Sequence, residues 1–278
     1  MRNVMMKQYT RSRLARAALG VALTSLLALT ACSARQSTPP PGSGQPDKFL
    51  YDRGTEALTS KKWLRAREYF RQLVDNYPQS SLRPDAKLAL GDTYLGENSV
   101  ESLILAQSEF REFLTFYPTH PRADYAQYKL GYGHWAQMLG PQRDQTQTKE
   151  AIAEFELFLE RFPNSPLAPE VRKKLRESRD RLSESEYQVG LFYHRSRWYP
   201  GAVDRFKSVL KQDPEYTRRD AVYYYLAESL TRMQMGAEAL PYLDRLVKEF
   251  EQSEYLERAK KLLDEAKNVQ PVKAEIKK

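Results

Sequence analysis

A single cysteine, Cys32, serves the whole chain of 278 residues, which excludes a disulfide framework and any zinc site built on paired cysteines. Histidine is almost as scarce. His120, His134 and His194 lie 14 and 60 residues apart, so none has the close-spaced partner of a helical metal pair, and each reads as a structural or surface histidine. Neither G-x-S-x-G nor H-E-x-x-H occurs, and no phosphate-cradling loop is seen. Paired acids such as Glu154 and Glu156 alternate with apolar residues on what reads as a helix, the pattern of a wet face. These shortages leave no catalytic constellation; neither an enzyme nor a bound cofactor or metal is expected. Long apolar runs are also lacking, because the uncharged stretch from Ala17 to Ala31 is 15 residues, short of the roughly 20 that span a bilayer. The net charge of +8 suggests nucleic acid, yet five of the 44 basic residues and none of the acids fall in the first 16 positions. The rest balances to +3 with signs interleaved, so no nucleic-acid partner is expected.

What is present begins with Arg2, Lys7, Arg11, Arg13 and Arg16 ahead of that apolar stretch, the order of a signal peptide. Leu29-Thr30-Ala31-Cys32 resembles the bacterial lipobox, a Leu and two small residues before a Cys. The resemblance implies removal of residues 1–31, a diacylglyceryl group on the Cys32 thiol and an acyl chain on its new amine. One acyl chain gives marginal membrane binding and a second makes it stable, each buried methylene contributing about 0.8 kcal/mol. Ser33 in place of Asp favours an outer-membrane destination, the domain facing the periplasm. Residues 32–46, rich in Ser, Pro, Gly and Gln, read as a flexible tether, and residues 267–278 as a basic tail that frays.

Between them an internal repeat organises the chain. Ala66, Phe70 and Pro78 recur as Ala106, Phe110, Pro118, as Ala151, Phe155, Pro163 and as Ala202, Phe206, Pro214, always 4 and 12 residues from the alanine. That is the second helix of a tetratricopeptide repeat: the small residue allows close approach, the aromatic fills the seam and the proline stops the helix. A small residue lies 12 positions earlier in three units (Gly54, Gly190 and Ala227, the last before Ala239). The fifth unit keeps its small pair but has Leu243 and Glu251 for the aromatic and proline, as expected of a terminal repeat. From Gly91 to Ala106 the step is 15 and from Gly131 to Ala151 it is 20, which puts added loops at "GENSV" and "GPQRDQTQT". Between Pro163 and Gly190 there are 14 more residues than in the other connections, with Val171, Leu175 and Leu182 on one face. One unbroken helix from about Pro169 to Ser196, on the order of 40 Å long, is expected. The expected fold is all-α: a tetratricopeptide-repeat solenoid of five helix pairs in two lobes, residues 47–166 and 167–266, joined by that helix.

With the lipobox, the tether and the repeats, the stretches "YPTHPRADYAQY", "RDQTQTKEA", "FPNSP", "RDRLSESEY" and "TRRDAVYYYLAESLTRMQM" resemble the BamD family of outer-membrane assembly lipoproteins. The loop before Arg143 is shorter than in better-known members and the tail is basic. The resemblance implies membership of the machinery that inserts β-barrel proteins into the outer membrane. Its implied partners are a BamA-like barrel subunit bearing POTRA domains, other assembly lipoproteins and unfolded barrel proteins, whose last strand carries an aromatic-rich signal. Arg219 and Arg232 match positions in the half that docks on the POTRA domain. A competing expectation is an envelope scaffold lipoprotein for secretin or pilus assembly, or for cell-wall coordination.

First helices of such repeats line the concave side, and in unit 3 Tyr125, Tyr128, Tyr132 and Trp135 are spaced 3, 4 and 3 on one stripe. Tyr51 of unit 1 stands in the place of Tyr128. Rigid aromatics suit an extended aromatic-rich peptide, whereas an aromatic stripe at helical spacing is more often core. Binding is favoured for Tyr128 and Tyr132, and packing for Trp135. Arg143 and Asp144, in the longer loop, are expected to clamp a local turn and to help shape the groove.

Overall fold

The computed structural model describes residues 44–268 and the isolated Pro39. The stretch expected to be a signal peptide, the expected lipidation site Cys32, most of the expected tether and the tail beyond residue 268 lie outside the described residues. Eleven helices follow one another with no strand among the described residues: α1 Pro46–Thr59, α2 Trp63–Asn76, α3 Arg83–Glu97, α4 Val100–Phe116, α5 Ala123–Trp135, α6 Thr146–Arg161, α7 Ala168–Arg195, α8 Tyr199–Gln212, α9 Arg219–Arg232, α10 Gly236–Glu249 and α11 Leu256–Asn268. Each helix packs chiefly on its chain neighbours, as a solenoid requires. The five expected pairs are α1–α2 through α9–α10. The eleventh helix is an addition to that expectation. It covers the last pair with Ala259 and Leu263, both in the C-terminal core. No described helix is long and apolar enough to cross a membrane.

The small-residue rule is visible as contact. A methyl group on Gly54 would come within 2.5 Å of the Phe70 ring, on Gly91 within 2.6 Å of Phe110, on Gly131 within 2.7 Å of Phe155 and on Gly190 within 2.6 Å of Phe206. Each aromatic therefore packs directly on the bare backbone of its partner helix, and all four are fully buried. Burying such a ring contributes about 1.5–3 kcal/mol. Second helices end alike: Tyr77, Tyr117, Phe162 and Phe250 all take φ near −130° and ψ between 53° and 63°. A residue before proline is driven out of the helical region, but Phe250 precedes Glu251 and turns the same way.

A recurrent tie then anchors each first helix. Ser80 Oγ donates to Asp47, Ser165 Oγ to Asp124 and Ser253 Oγ to Asp220, each at 2.6 Å. Unit 2 has His120 at the serine position, where Nδ1 accepts the Arg122 backbone N–H at 3.2 Å while the Arg122 guanidinium takes Asp85 at 3.0 Å. In unit 4 the first helix does not begin there, because α7 runs through. The buried Tyr216 hydroxyl instead donates to Glu184 on its flank.

The expected long helix is present without a break at Arg179: α7 has 28 residues and measures about 42 Å. The buried apolar residues divide along it. Val171 and Leu175 join a core with Phe155 and Phe158, whereas Tyr187 and Leu191 join the C-terminal core of α8–α11. A further core spans α1–α4 and reaches Leu130 of α5. Between Leu175 and Tyr187 the helix carries polar ties: Arg176 Nη1 donates to Asp213 at 3.0 Å and Ser183 Oγ donates to the same carboxylate at 2.7 Å.

Candidate functional site

Helix α5 stands where two cores meet, and its aromatic stripe straddles the seam. Tyr125 and Tyr132 pack against the first core, Tyr128 and Trp135 against the second. All four are half-buried. The stripe is thus neither sealed core nor open surface. Tyr132 stacks on Trp135 with centroids 5.5 Å apart and planes at 28°, and Tyr128 lies 6.2 Å from Tyr132.

The hydroxyl of Tyr125 is committed: it donates to Asp92 of α3, 2.7 Å from Oδ2 and 2.8 Å from Oδ1. Burial, then the Asp92 charge, pushes this phenol far above its ordinary range. Tyr125 is therefore an anchor between α3 and α5. Tyr51 packs edge-on against Phe70, and burial followed by the Asp85 charge raises its phenol as well. Asp85 is also the partner of Arg122, whose guanidinium sits 4.6 Å from the Tyr125 ring centre. Asp85, whose charge is felt at Tyr51, is thus joined through Arg122 to the Tyr125 ring. The phenol of Tyr128 is raised by burial and by the charge of Glu170.

Three cations absent from the sequence-based site are interleaved with these rings. Lys129 Nζ lies 5.2 Å from the Tyr125 ring centre and 5.8 Å from that of Tyr132; Lys174 Nζ, from α7, lies 5.2 Å from Tyr132 and 3.5 Å from Trp135. Arg122 is the third. The signal for Lys129 was its place inside the stripe, one turn from Tyr125 and from Tyr132. Nothing local marked Lys174, which arrives through the fold. Past Trp135 a cleft of about 520 Å³ opens between the lobes, with Trp135, Met138 and Pro141 facing Asp180, Arg181 and Arg218. Arg181 ties the walls by donating to the Leu139 carbonyl at 2.9 Å, and within one wall the Thr217 N–H donates to Asp180 at 3.1 Å.

Arg143 and Asp144 do not clamp their turn through paired charges. No hydrogen bond or ion pair joins the Arg143 side chain to Asp144 among the described residues, and both are exposed. The clamp is the buried Gln145, whose amide donates to the Gly140 and Arg143 carbonyls at 2.9 and 3.0 Å and whose oxygen accepts from Thr148. Asp144 accepts from the Thr146 N–H at 3.0 Å, which holds its carboxyl below the usual range and caps α6. Burying an uncharged amide costs less than burying an unpaired guanidinium, and Asp144 shares the turn with Gln145 by accepting from both the N–H and the hydroxyl of Thr146.

In the C-terminal lobe Arg219 donates to the Tyr216 carbonyl at 3.2 Å and lies 5.5 Å from the Phe250 ring centre, half-buried. Arg232 is open, its side chain 62% exposed and 3.7 Å from Glu228. It borders a groove between α9 and α11 that includes Tyr224 and Arg258. Glu228 also meets His194 Nε2 at 3.4 Å, and that hydrogen bond holds its carboxyl below the ordinary value against burial. The sequence reading missed Phe192 and Trp198, 64% and 55% exposed at the α7–α8 turn. Among the described residues no three His, Cys, Asp or Glu gather as a metal site.

Residues 43–242 match the family model described as "YfiO: Outer membrane lipoprotein". The chain belongs to this family. Relatives within it include proteins named outer membrane protein assembly factor BamD. That of Caulobacter vibrioides is 26% identical over 70% of this chain and 63% of its own length, so the match spans under two thirds of that relative. That of Vibrio cholerae is 29% identical over 69% of this chain and 83% of its own. The Xylella fastidiosa (Temecula1) protein is 25% identical over 77% and 75%. The motifs at the tyrosine stripe and at "RMQM" fall inside the segment that the family model matches.

Proposed function

We propose that the protein is an outer-membrane assembly factor, lipid-anchored through Cys32 and facing the periplasm. On this reading it receives unfolded β-barrel proteins on the concave face of its N-terminal lobe and docks on a POTRA-bearing barrel subunit through its C-terminal lobe. The observation that carries the reading is the half-buried aromatic stripe of α5, set among cations on the side lined by first helices. Tyr128, Tyr132 and the neighbouring ring of Trp135 offer stacking faces whose geometry is already held, so little side-chain entropy is lost on binding a strand. Tyr125 serves the site by holding α5 against α3, and Tyr51 extends it toward unit 1. The open Arg232 is the docking candidate; Arg219, drawn onto Phe250 and the Tyr216 carbonyl, supports the lobe.

A photo-crosslinker at position 128 in cells tests the receiving face. Crosslinks to nascent barrel proteins are the expected product, and capture of the protein's own 139–145 loop alone would overturn it. For the docking lobe, a tagged chain is recovered from membranes in mild detergent beside Arg232→Glu. The wild type is expected to bring down a POTRA-bearing subunit and the variant to lose it. Recovery of a secretin would favour the scaffold reading.

A further inference from the structure

The two kinds of connection in the solenoid differ in what they expose. Connections from a first to a second helix (residues 60–62, 98–99, 136–145, 196–198 and 233–235) lie along one edge, and those leading to the next unit lie along the other. Nine large apolar side chains stand open among the described residues. Six of them, Leu64, Val100, Ile104, Leu139, Phe192 and Trp198, lie in or within five residues of a connection of the first kind; two, Phe116 and Leu157, lie as near to one of the second. Charge divides in the same way. The first set of connections carries Lys61, Lys62, Arg143 and Arg197 against the single acid Asp144, whereas the second carries Arg122 and Arg218 against Asp213, Glu215, Glu251 and Glu254. One edge is thus basic and apolar, the other acidic. The contrast is sharpest at the α7–α8 turn, where no acid occurs from Tyr187 to Val203. Trp198 stands exposed there, yet its indole is held: it meets the Tyr193 ring edge-on at 4.6 Å and lies against the bare backbone of Gly201, where a Cβ would collide with it. Phe192 packs beside the same Tyr193 at 5.7 Å. Arg195 and Arg197, both exposed, flank the two open rings.

We infer that this edge is a lipid-docking surface: the α7–α8 turn enters the interface of an anionic phospholipid leaflet through Phe192 and Trp198, with Arg195 and Arg197 on the headgroup phosphates and Lys61 and Lys62 drawn to the same leaflet. Indole and phenyl rings settle between water and acyl chains, and arginine beside them buries its stem while its guanidinium meets phosphate in a fork. Basic residues near an anionic surface add attraction that neutral lipid does not give. The inference rests on the lipid-anchored reading proposed above and deepens it, because it fixes which edge of the domain faces the leaflet. Chain length permits that orientation. Helix α1 begins on the opposite edge, 14 residues after Cys32, and 14 residues reach at most about 50 Å, whereas the 14 residues of α1 measure about 21 Å. The domain can therefore turn its far edge to the leaflet that holds its lipid, and the anchor keeps that edge at high effective concentration.

The test uses the full lipidated chain on vesicles of phosphatidylcholine, with and without phosphatidylglycerol. An environment-sensitive nitrobenzoxadiazole dye is attached at Ser196→Cys or, on the opposite edge of the same unit, at Glu215→Cys; a Cys32 thiol that carries lipid takes no dye. The dye at 196 is expected to brighten and shift to the blue on the anionic vesicles and to return toward its value in water at about 500 mM salt. The dye at 215 should stay as in water on both. Arg195→Gln with Arg197→Gln should abolish the shift, as should Phe192→Ser with Trp198→Ser, circular dichroism confirming the fold of each. If the dye at 196 stays as in water on anionic vesicles that carry the chain, the docking edge is overturned and the lipid anchor stands. If Cys32 takes dye and the chain floats with neither kind of vesicle, both fall. A shift that needs a POTRA-bearing subunit and not anionic lipid would make the turn a protein contact and overturn the inference.

Discussion

At the scale of the residue, one pair of positions per unit sets how closely helices approach, and that pair is testable by coupling. The Phe155 ring lies where a Cβ on Gly131 would be. Gly131→Ala is expected to cost about 1–3 kcal/mol by overpacking and Phe155→Ala about 3–5 kcal/mol through the cavity left behind. The two costs should not add: the ring removed by the second change is what the first collides with. Urea unfolding of both single variants and the double gives the coupling, and strict additivity would mean that the helices simply move apart. A different residue reports on pH. Burial alone would raise the Asp213 carboxyl, but bonds from Arg176 and Ser183 outweigh burial and hold it below its ordinary value. A carboxyl depressed by folding contributes stability that is complete above its unfolded pKa of about 3.9 and is lost as pH falls through the folded value. Asp213→Asn should therefore destabilise at pH 7 and flatten the acid limb of stability against pH; an unchanged limb would show that other carboxyls govern it.

At the scale of the element, the turns between paired helices carry strain that the repeat tolerates. Lys61, Asn98, Arg197 and Gln234 take φ between 56° and 60°, each at the turn from the first to the second helix of its unit. None is glycine, though this conformation costs an ordinary residue about 1–2 kcal/mol. Gln234→Gly is expected to raise stability by up to about 1 kcal/mol, the gain reduced by the greater freedom of glycine in the unfolded chain. A thermal midpoint unchanged or lowered would show that the glutamine side chain matters more than its backbone. Such turns explain what could be read in advance. Helix pairing was legible because Ala, Phe and Pro keep one phase over four units, and the length of α7 because 14 added residues arrive with no glycine and with no proline after Pro169. The eleventh helix was not, since it has no partner helix and breaks the count of pairs. The stripe could be found from tyrosine spacing along α5, but Lys174 and Asp92 reach it from α7 and α3, and distance along the chain hides them. The Gln145 clamp was hidden for another reason: charge drew attention to Arg143 and Asp144, while burial selected the amide beside them.

At the scale of the whole molecule, α7 makes two lobes answer to each other. Its first half belongs to the core of Phe155 and Phe158, its second to that of Tyr187 and Phe206. Between them lie no shared apolar residues but a set of ties: Arg176 to Asp213, Arg179 to Glu156 at 2.7 Å and Arg218 to Glu184 at 3.0 Å. The exposed Arg179–Glu156 pair contributes under about 1 kcal/mol, whereas Asp213 is buried beneath its tie to Arg176; the continuity of the helix is expected to carry most of the coupling. Repeat arrays unfold as one only while neighbouring interfaces hold. Arg179→Pro removes the helical hydrogen bond to the Leu175 carbonyl and clashes with that turn, a cost of about 3 kcal/mol or more, and its own side chain belongs to neither core. The wild type is expected to melt in one transition by circular dichroism, and Arg179→Pro in two, with the lobes unfolding separately. A single transition in the variant would mean that the cleft contacts carry the coupling, and two transitions in the wild type would mean that α7 is a tether and not a strut. The outcome bears on the proposed function: if a strand is received at the stripe of α5 and a partner docks at Arg232, an unbroken α7 is a path by which one displaces the other.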